Sequence, residues 1–214
     1  MPNSYRQGEH ICVLYDTEEE QFAIAAQYLA DGLRSGQRVL YGAPSRAALA
    51  RFTVTLGKEG VDPRAETDRG ALLQGTPAEL HLAGGRFDSE RMLRMLNEAI
   101  EKALSDGFSG LRTCGDMSWL LTKAPGWDGF LEYEALLNPF FLGVPACGMC
   151  LYDRRRFGPD LLDHGLATHS SVVVDGHHKL NPFYCPPPVA AKRIARPSDL
   201  NWKLGELTRR EPIR

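Results

Sequence analysis

No apolar run in the chain approaches the roughly 20 residues a membrane span needs. The opening Met1-Pro-Asn-Ser-Tyr-Arg6 has no apolar core and does not read as a signal peptide. Neither charge sign is in excess. Lys and Arg number 25 against 27 Asp and Glu, for a net charge of −2. That leaves no basic field for direct nucleic-acid binding. Cysteine is scarce and odd in number, 5 in 214 residues, in a chain too long to need disulfide staples. These absences predict a protein of the reducing cytoplasm, off the membrane. There is no internal repeat and no low-complexity segment.

What is present is a regular alternation. His10–Tyr15 is a β-branched and aromatic run that reads as a strand. Thr17 with Glu20 forms a capping box for a helix to Ser35, stopped by Gly36. Arg38–Gly42 is a second strand, and Pro44-Ser45 opens a second helix. Val61–Gly70 is polar and irregular, Ala71–Gln74 a short strand, and Ala78–Gly85 weakly helical. Asp88 caps a helix with Met92, Leu96 and Ile100 at helical spacing. Leu111–Asp116 is a strand. A helix from Asp128, with Leu131, Leu136 and Leu137 inward, is broken by Pro139. Val144–Asp153 is a short apolar run ending on a polar residue, as a buried parallel strand does. Pro159 opens a short helix, and Asp175-Gly176 marks a hairpin. The pattern predicts a three-layer α/β fold, its central sheet mostly parallel with an antiparallel hairpin at one edge. Residues 1–188 form the domain, and 189–214 read as a tail or linker.

The turn after the first strand is where a nucleotide-binding α/β protein places its glycine-rich phosphate loop. Here it reads Tyr15-Asp-Thr-Glu-Glu-Glu20, with no G-x-x-x-x-G-K-[ST] and three carboxylates that repel phosphate. Asp116 ends its strand where a P-loop enzyme holds magnesium. A lone Asp in that position more commonly caps the next helix.

Cys147 and Cys150, followed by His164 and His169, match a generic zinc spacing. The strand reading opposes it. Positions three apart on a strand face opposite ways, and a redox C-x-x-C belongs at a helix N-terminus. His10 and Cys12 share one strand face, but at the amino end, which favours a structural role. A pocket at the carboxyl edge of the sheet draws instead on Tyr15, Trp119, Glu134 and Tyr152 with strand-end histidines.

At the level of family, several stretches resemble the MEDS domain, a methanogen and methylotroph sensory domain. They are His10–Tyr15 with the acidic helix start, Gly32-Leu-x-x-Gly-Gln-Arg-Val-Leu-Tyr41, Leu111-Arg-x-x-Gly-Asp-Met-Ser-Trp119 and Glu132-Tyr-Glu134. Cys150-Leu-Tyr-Asp-Arg-Arg-Arg-Phe157, Thr168-His169 and Asn181-Pro-Phe-Tyr184 complete the set. The resemblance spans about residues 8 to 187 and includes Cys150, whereas Cys147 lies outside its pattern. It implies a RecA- or KaiC-like core without the phosphate loop. It also implies a sensor for a small molecule, often of one-carbon or hydrocarbon type.

Together these readings predict a non-catalytic sensor with a ligand pocket near Tyr15, Glu18, Asp116, Trp119, Tyr152 and His169. It would signal to a regulatory partner, meaning a histidine kinase, a sigma-factor regulator or a transcription factor, or through homo-oligomerisation. No catalytic residue, metal or cofactor is assigned. Two alternatives stay open: a metal- or haem-dependent sensor using Cys and His, and a degenerate nucleotide-binding ATPase.

Overall fold

The structure is a computed structural model that describes residues 5–186, 197–210 and 212. The expected boundary between residues 188 and 189 lies outside them. Seven strands form one sheet: β1 (His10–Tyr15), β2 (Arg38–Gly42), β3 (Leu72–Gly75), β4 (Leu111–Asp116), β5 (Ala146–Asp153), β6 (Ser171–Val174) and β7 (His177–Leu180). Their spatial order is β3-β2-β4-β5-β1-β6-β7. Every pairing is parallel except β6 with β7. The sheet is therefore the mostly parallel one the alternation predicts, with its hairpin at one edge.

Helices cover both faces. On one lie α1 (Glu18–Arg34), α2 (Arg46–Lys58) and the short α3 (Pro63–Asp68). On the other lie α4 (Ser89–Ser105), α5 (Phe130–Leu142), α6 (Pro159–Thr168) and α7 (Pro197–Arg209). Local chemistry sets most of these ends. The Thr17 hydroxyl accepts from the Glu20 N–H, and Glu20 accepts in turn from the Asp16 N–H. Asp88 caps α4 by accepting from the Arg91 N–H. Asp175 and Gly176 both take positive φ, 50° and 72°, as a type I′ hairpin turn requires.

Central strand β5 is buried along its whole length. Alternation divides it between the two layers. Cys147, Met149 and Leu151 pack with α1, and Cys150 and Tyr152 pack towards α5 and α6. β1 divides the same way: Ile11, Val13 and Tyr15 face α1, while Cys12 and Leu14 face the other layer.

Several local readings differ from the structure. α5 does not stop at Pro139 but runs on to Leu142. Proline removes one N–H, and buried Phe130, Leu137 and Phe141 hold the helix on both sides of it. Leu136, expected inward, is 46% exposed. Val61–Gly70 contains α3, capped by Asp62, where the sequence shows only polar irregularity. The stretch read as a tail carries α7, which buries Leu200 and Leu207 in the α4–α6 layer.

Candidate functional site

Four side chains from four elements meet inside the α5–α6 layer. His10 opens β1, Glu134 sits in the middle of α5, Cys150 lies in β5, and His169 joins α6 to β6. All four are buried, and Glu134, His10 and His169 are inaccessible to solvent. Their potential ligating atoms all lie within 4.8 Å of one another.

Sheet register explains the first contact. His10 pairs with Gly148 and Cys12 with Cys150, so Cys150 lies diagonally from His10 on the same face. Its sulfur is 3.6 Å from His10 Nε2. Glu134 faces inward because it lies one turn from both Phe130 and Leu137 on the apolar stripe of α5. Glu134 Oε2 is 3.5 Å from His10 Nε2 and 3.5 Å from His169 Nε2. The two imidazoles stack with centroids 3.8 Å apart. That stacking brings both Nε2 atoms to one carboxylate oxygen.

A second ring of contacts fixes these groups. The Tyr152 hydroxyl donates to Glu134 Oε1 at 2.9 Å. His169 Nδ1 lies 2.7 Å from the Gly165 carbonyl, so the imidazole donates from Nδ1 and turns the Nε2 lone pair inward. Asn138, one turn after Glu134, donates to the Thr168 carbonyl and accepts from the Ser170 N–H at 3.2 Å. Asn181 donates to the His169 carbonyl at 2.7 Å. The segment that carries His169 is thus held from two sides.

Burial governs the electrostatics. It pushes the Glu134 carboxyl up to about 7, against the pull of the Tyr152 hydroxyl bonded to it. It holds His169 down at about 3, and burial together with His169 keeps His10 well below the usual range. Cys150 is raised by burial and by Glu134. The thiol therefore stays protonated and both imidazoles stay neutral, each with a single ring N–H.

A cavity of about 60 Å³ adjoins the cluster. It runs between the sheet and helices α4 and α5, and His10, Glu134 and Cys150 line it. Met92, Met95 and Leu96 of α4, with Leu137 and Phe141 of α5, give apolar walls. Gly42, Gly115 and His81 lie at the side nearer the carboxyl ends of β2 and β4.

The residues expected to share one pocket divide between the two faces. Tyr15 and Asp116 come together on the α1 face, where the tyrosine hydroxyl donates to Asp116 Oδ2 at 3.0 Å. Gln21 donates to the same oxygen at 2.7 Å, and the Ser118 N–H and hydroxyl donate to Oδ1. Both carboxylate oxygens of Asp116 are thus occupied. Glu18 pairs with Arg51 near the surface. Tyr152 and His169 lie on the opposite face, in the cluster. Trp119 is also buried there, stacked between His81 and Phe87.

The zinc-like spacing does not assemble as a set. Cys147 is across the sheet, accepting from the Tyr28 hydroxyl at 3.2 Å, and His164 bonds the Leu131 carbonyl at 3.1 Å. His10, read as structural from its amino-end position, faces Glu134 and Cys150. A lone acidic residue on the apolar face of Phe130–Leu142 is the sequence signal that could have singled out Glu134. Only two residues, Asp16 and Thr17, join β1 to α1, and the first turn of the helix is Glu18, Glu19 and Glu20. Such a connection is too short to wrap a phosphate and carries the wrong charge.

Comparison with known sequences agrees with this core. One family model, described as the MEthanogen/methylotroph, DcmR Sensory domain, matches residues 9–170. The chain belongs to the MEDS family. That family is one of sensory domains. Among solved structures, a KaiC-like protein from the hyperthermophilic archaeon Pyrococcus horikoshii OT3 is similar, with a TM-score of 0.54 at 12% identity. The match covers 79% of this chain and 71% of that one. At this identity the likeness speaks to the fold, and it makes the MEDS core RecA- and KaiC-like. No curated protein matches the chain. No helix among the described residues is long and apolar enough to cross a membrane.

Proposed function

We propose that this MEDS domain is a non-catalytic sensor. It binds one small, largely neutral molecule in the cavity under α4 and α5, and relays the event to a regulatory partner. Family membership supports the sensor role. The observation that supports the site is a mostly apolar cavity with a few convergent polar groups at one wall, the usual form of a small-molecule site.

The cavity's size restricts the ligand. One water needs roughly 10–15 Å³ on this measure, so the space suits about four to five non-hydrogen atoms. A haem or a nucleotide is far larger. The one-carbon and hydrocarbon compounds implied by the family resemblance fit in size and polarity. Of the residues expected from the sequence, Tyr152 and His169 belong to this reading through Glu134, and Trp119 backs Phe130 in the wall. Tyr15, Glu18 and Asp116 lie outside it.

Relay would run through α5, which carries Glu134 inward and leaves Leu136 and Leu142 exposed outward. A ligand that shifts α5 changes the surface that a kinase, a sigma-factor regulator, a transcription factor or a second copy would contact.

The test uses xenon and a panel of neutral one- to four-carbon compounds on the full chain, read by NMR and thermal shift. Saturable binding, lost on filling the cavity with Leu96→Trp or the milder Met95→Phe, is the expected result. Absence of binding by every compound overturns the reading. So does Mg²⁺-dependent ATP hydrolysis by the purified chain.

A further inference from the structure

We propose that His10, Glu134, Cys150 and His169 form a binding site for one divalent transition-metal ion of the Zn²⁺, Fe²⁺ or Co²⁺ class. The inference goes beyond ligand sensing and does not depend on it.

Geometry is the first argument. Bonds of about 2.0 Å to nitrogen and oxygen and about 2.3 Å to sulfur set the donors of a tetrahedral ion about 3.3–3.5 Å apart. The separations are 3.5 Å from His10 Nε2 to Glu134 Oε2, 3.5 Å from His169 Nε2 to the same oxygen, and 3.6 Å from His10 Nε2 to Cys150 Sγ. These three separations match the edges of such a coordination polyhedron, and all four donor atoms lie within 4.8 Å of one another. Glu134 Oε2 and His169 Nε2 are buried without a hydrogen-bond partner. With Nδ1 of His169 donating to the Gly165 carbonyl, its Nε2 lone pair faces Glu134 Oε2 across 3.5 Å, and once the carboxyl is ionised two lone pairs meet there. A cation between them removes that repulsion.

The surrounding contacts have the form that metal sites use. A ligating histidine commonly donates its other ring N–H to a carbonyl, and a ligating carboxylate is itself hydrogen-bonded. His169 donates to the Gly165 carbonyl, and Glu134 receives the Tyr152 hydroxyl at 2.9 Å on the oxygen away from the rings. Asn138 and Asn181 fix the backbone on either side of His169.

Charge and donor type select the ion. One carboxylate and one thiolate neutralise a divalent cation, so the filled site would be uncharged where four groups are buried. Cys150 releases its proton to solvent on binding. Two imidazoles, a thiolate and a carboxylate suit borderline metals and disfavour Mg²⁺ and Ca²⁺, which take oxygen ligands. Three of the donors also line the cavity, so a molecule held there would lie beside the ion. That last point alone rests on the sensing reading.

Co²⁺ titration of the chelator-treated, reduced full chain is the test, read by absorption. The expected result is one ion per chain with a thiolate-to-cobalt charge-transfer band. Cys150→Ser abolishes the band, and Cys147→Ser, on the other face, keeps it. Glu134→Gln and His169→Gln weaken Co²⁺ binding by at least about 10-fold. Circular dichroism establishes that each variant is folded, and Glu134→Gln preserves shape if Cys150→Ser does not fold. Failure of the folded chain to take up Co²⁺ or Zn²⁺ overturns the proposal. So does uptake that neither Cys150→Ser nor Glu134→Gln changes. Xenon binding to the metal-free chain is read separately, so loss of the sensing reading leaves the metal result intact.

Discussion

Gly148 lies directly opposite His10 in the parallel pairing of β1 and β5, and its missing side chain makes room for the Phe141 ring. A Cβ at Gly148 would come within 2.6 Å of two Phe141 ring carbons and 3.2 Å of Thr113 Oγ1. Phe141 is buried beside His10 and forms part of the cavity wall, so its ring cannot retreat freely. Gly148→Ala is expected to lower stability by about 1–3 kcal/mol, the usual cost of overpacking a tight core. It should also disturb binding in the cavity. Urea unfolding and xenon binding check both effects, and a variant as stable as the parent would show the contact to be soft.

Tyr15 and Asp116 carry a different prediction. Tyr15→Phe removes one of several hydrogen bonds to a buried carboxylate while Gln21 and Ser118 remain. The loss should be about 1–2 kcal/mol, with small-molecule binding unchanged. If Tyr15→Phe abolished that binding with the fold intact, the ligand would sit on the α1 face, and the carboxyl-edge pocket expected from the sequence would be restored.

Elements governed by nearby residues were legible in the sequence. The Thr17–Glu20 box, the Asp88 cap, Pro159 at a helix start and the Asp175-Gly176 turn each act within a few residues, and each has its expected effect. The opposite facing of Cys147 and Cys150 follows from strand alternation alone. What was not legible depends on burial across the fold. Pro139 stays helical because Phe141 and Leu137 are held by the sheet layer. α7 forms where its weak pattern finds a surface to cover. The cluster brings together positions from both ends of the matched region, and only strand order places His10 next to Cys150 and His169. The split of Tyr15 from Tyr152 likewise rests on strand register. Leu14, not Tyr15, pairs with Tyr152, so the two tyrosines emerge on opposite faces.

α7 is held to the domain by a buried ion pair between Lys203 and Asp163, with 3% and 1% side-chain exposure. Lys179 also donates to the Leu207 carbonyl at 2.7 Å, near the helix's C-terminal end where a cation is favoured. Removing one member of a buried pair strands the other, at a cost of about 3–5 kcal/mol. Lys203→Met is therefore expected to be strongly destabilising, and Lys203→Met with Asp163→Leu much less so. A double-mutant cycle by chemical denaturation measures the difference. Strictly additive losses would mean that the pair does not hold α7.

Acid sensitivity supplies the last prediction. Burial, and then the nearby Arg91 charge, hold His81 down from 6.5 to about 4. Its ring stacks on Trp119 and lines the cavity. Between these two values the unfolded chain binds a proton that the folded chain does not. Stability therefore falls as pH drops from about 6.5 towards 4 and changes no further through this group below that. Partial exposure of His81 limits the effect to about 1–2 kcal/mol. His81→Gln should remove that share of the acid slope, leaving the variant closer to the parent at pH 5 than at pH 7. Urea midpoints at the two pH values check it, and equal differences at both would mean that His81 takes up its proton in the folded chain as readily as in the unfolded one.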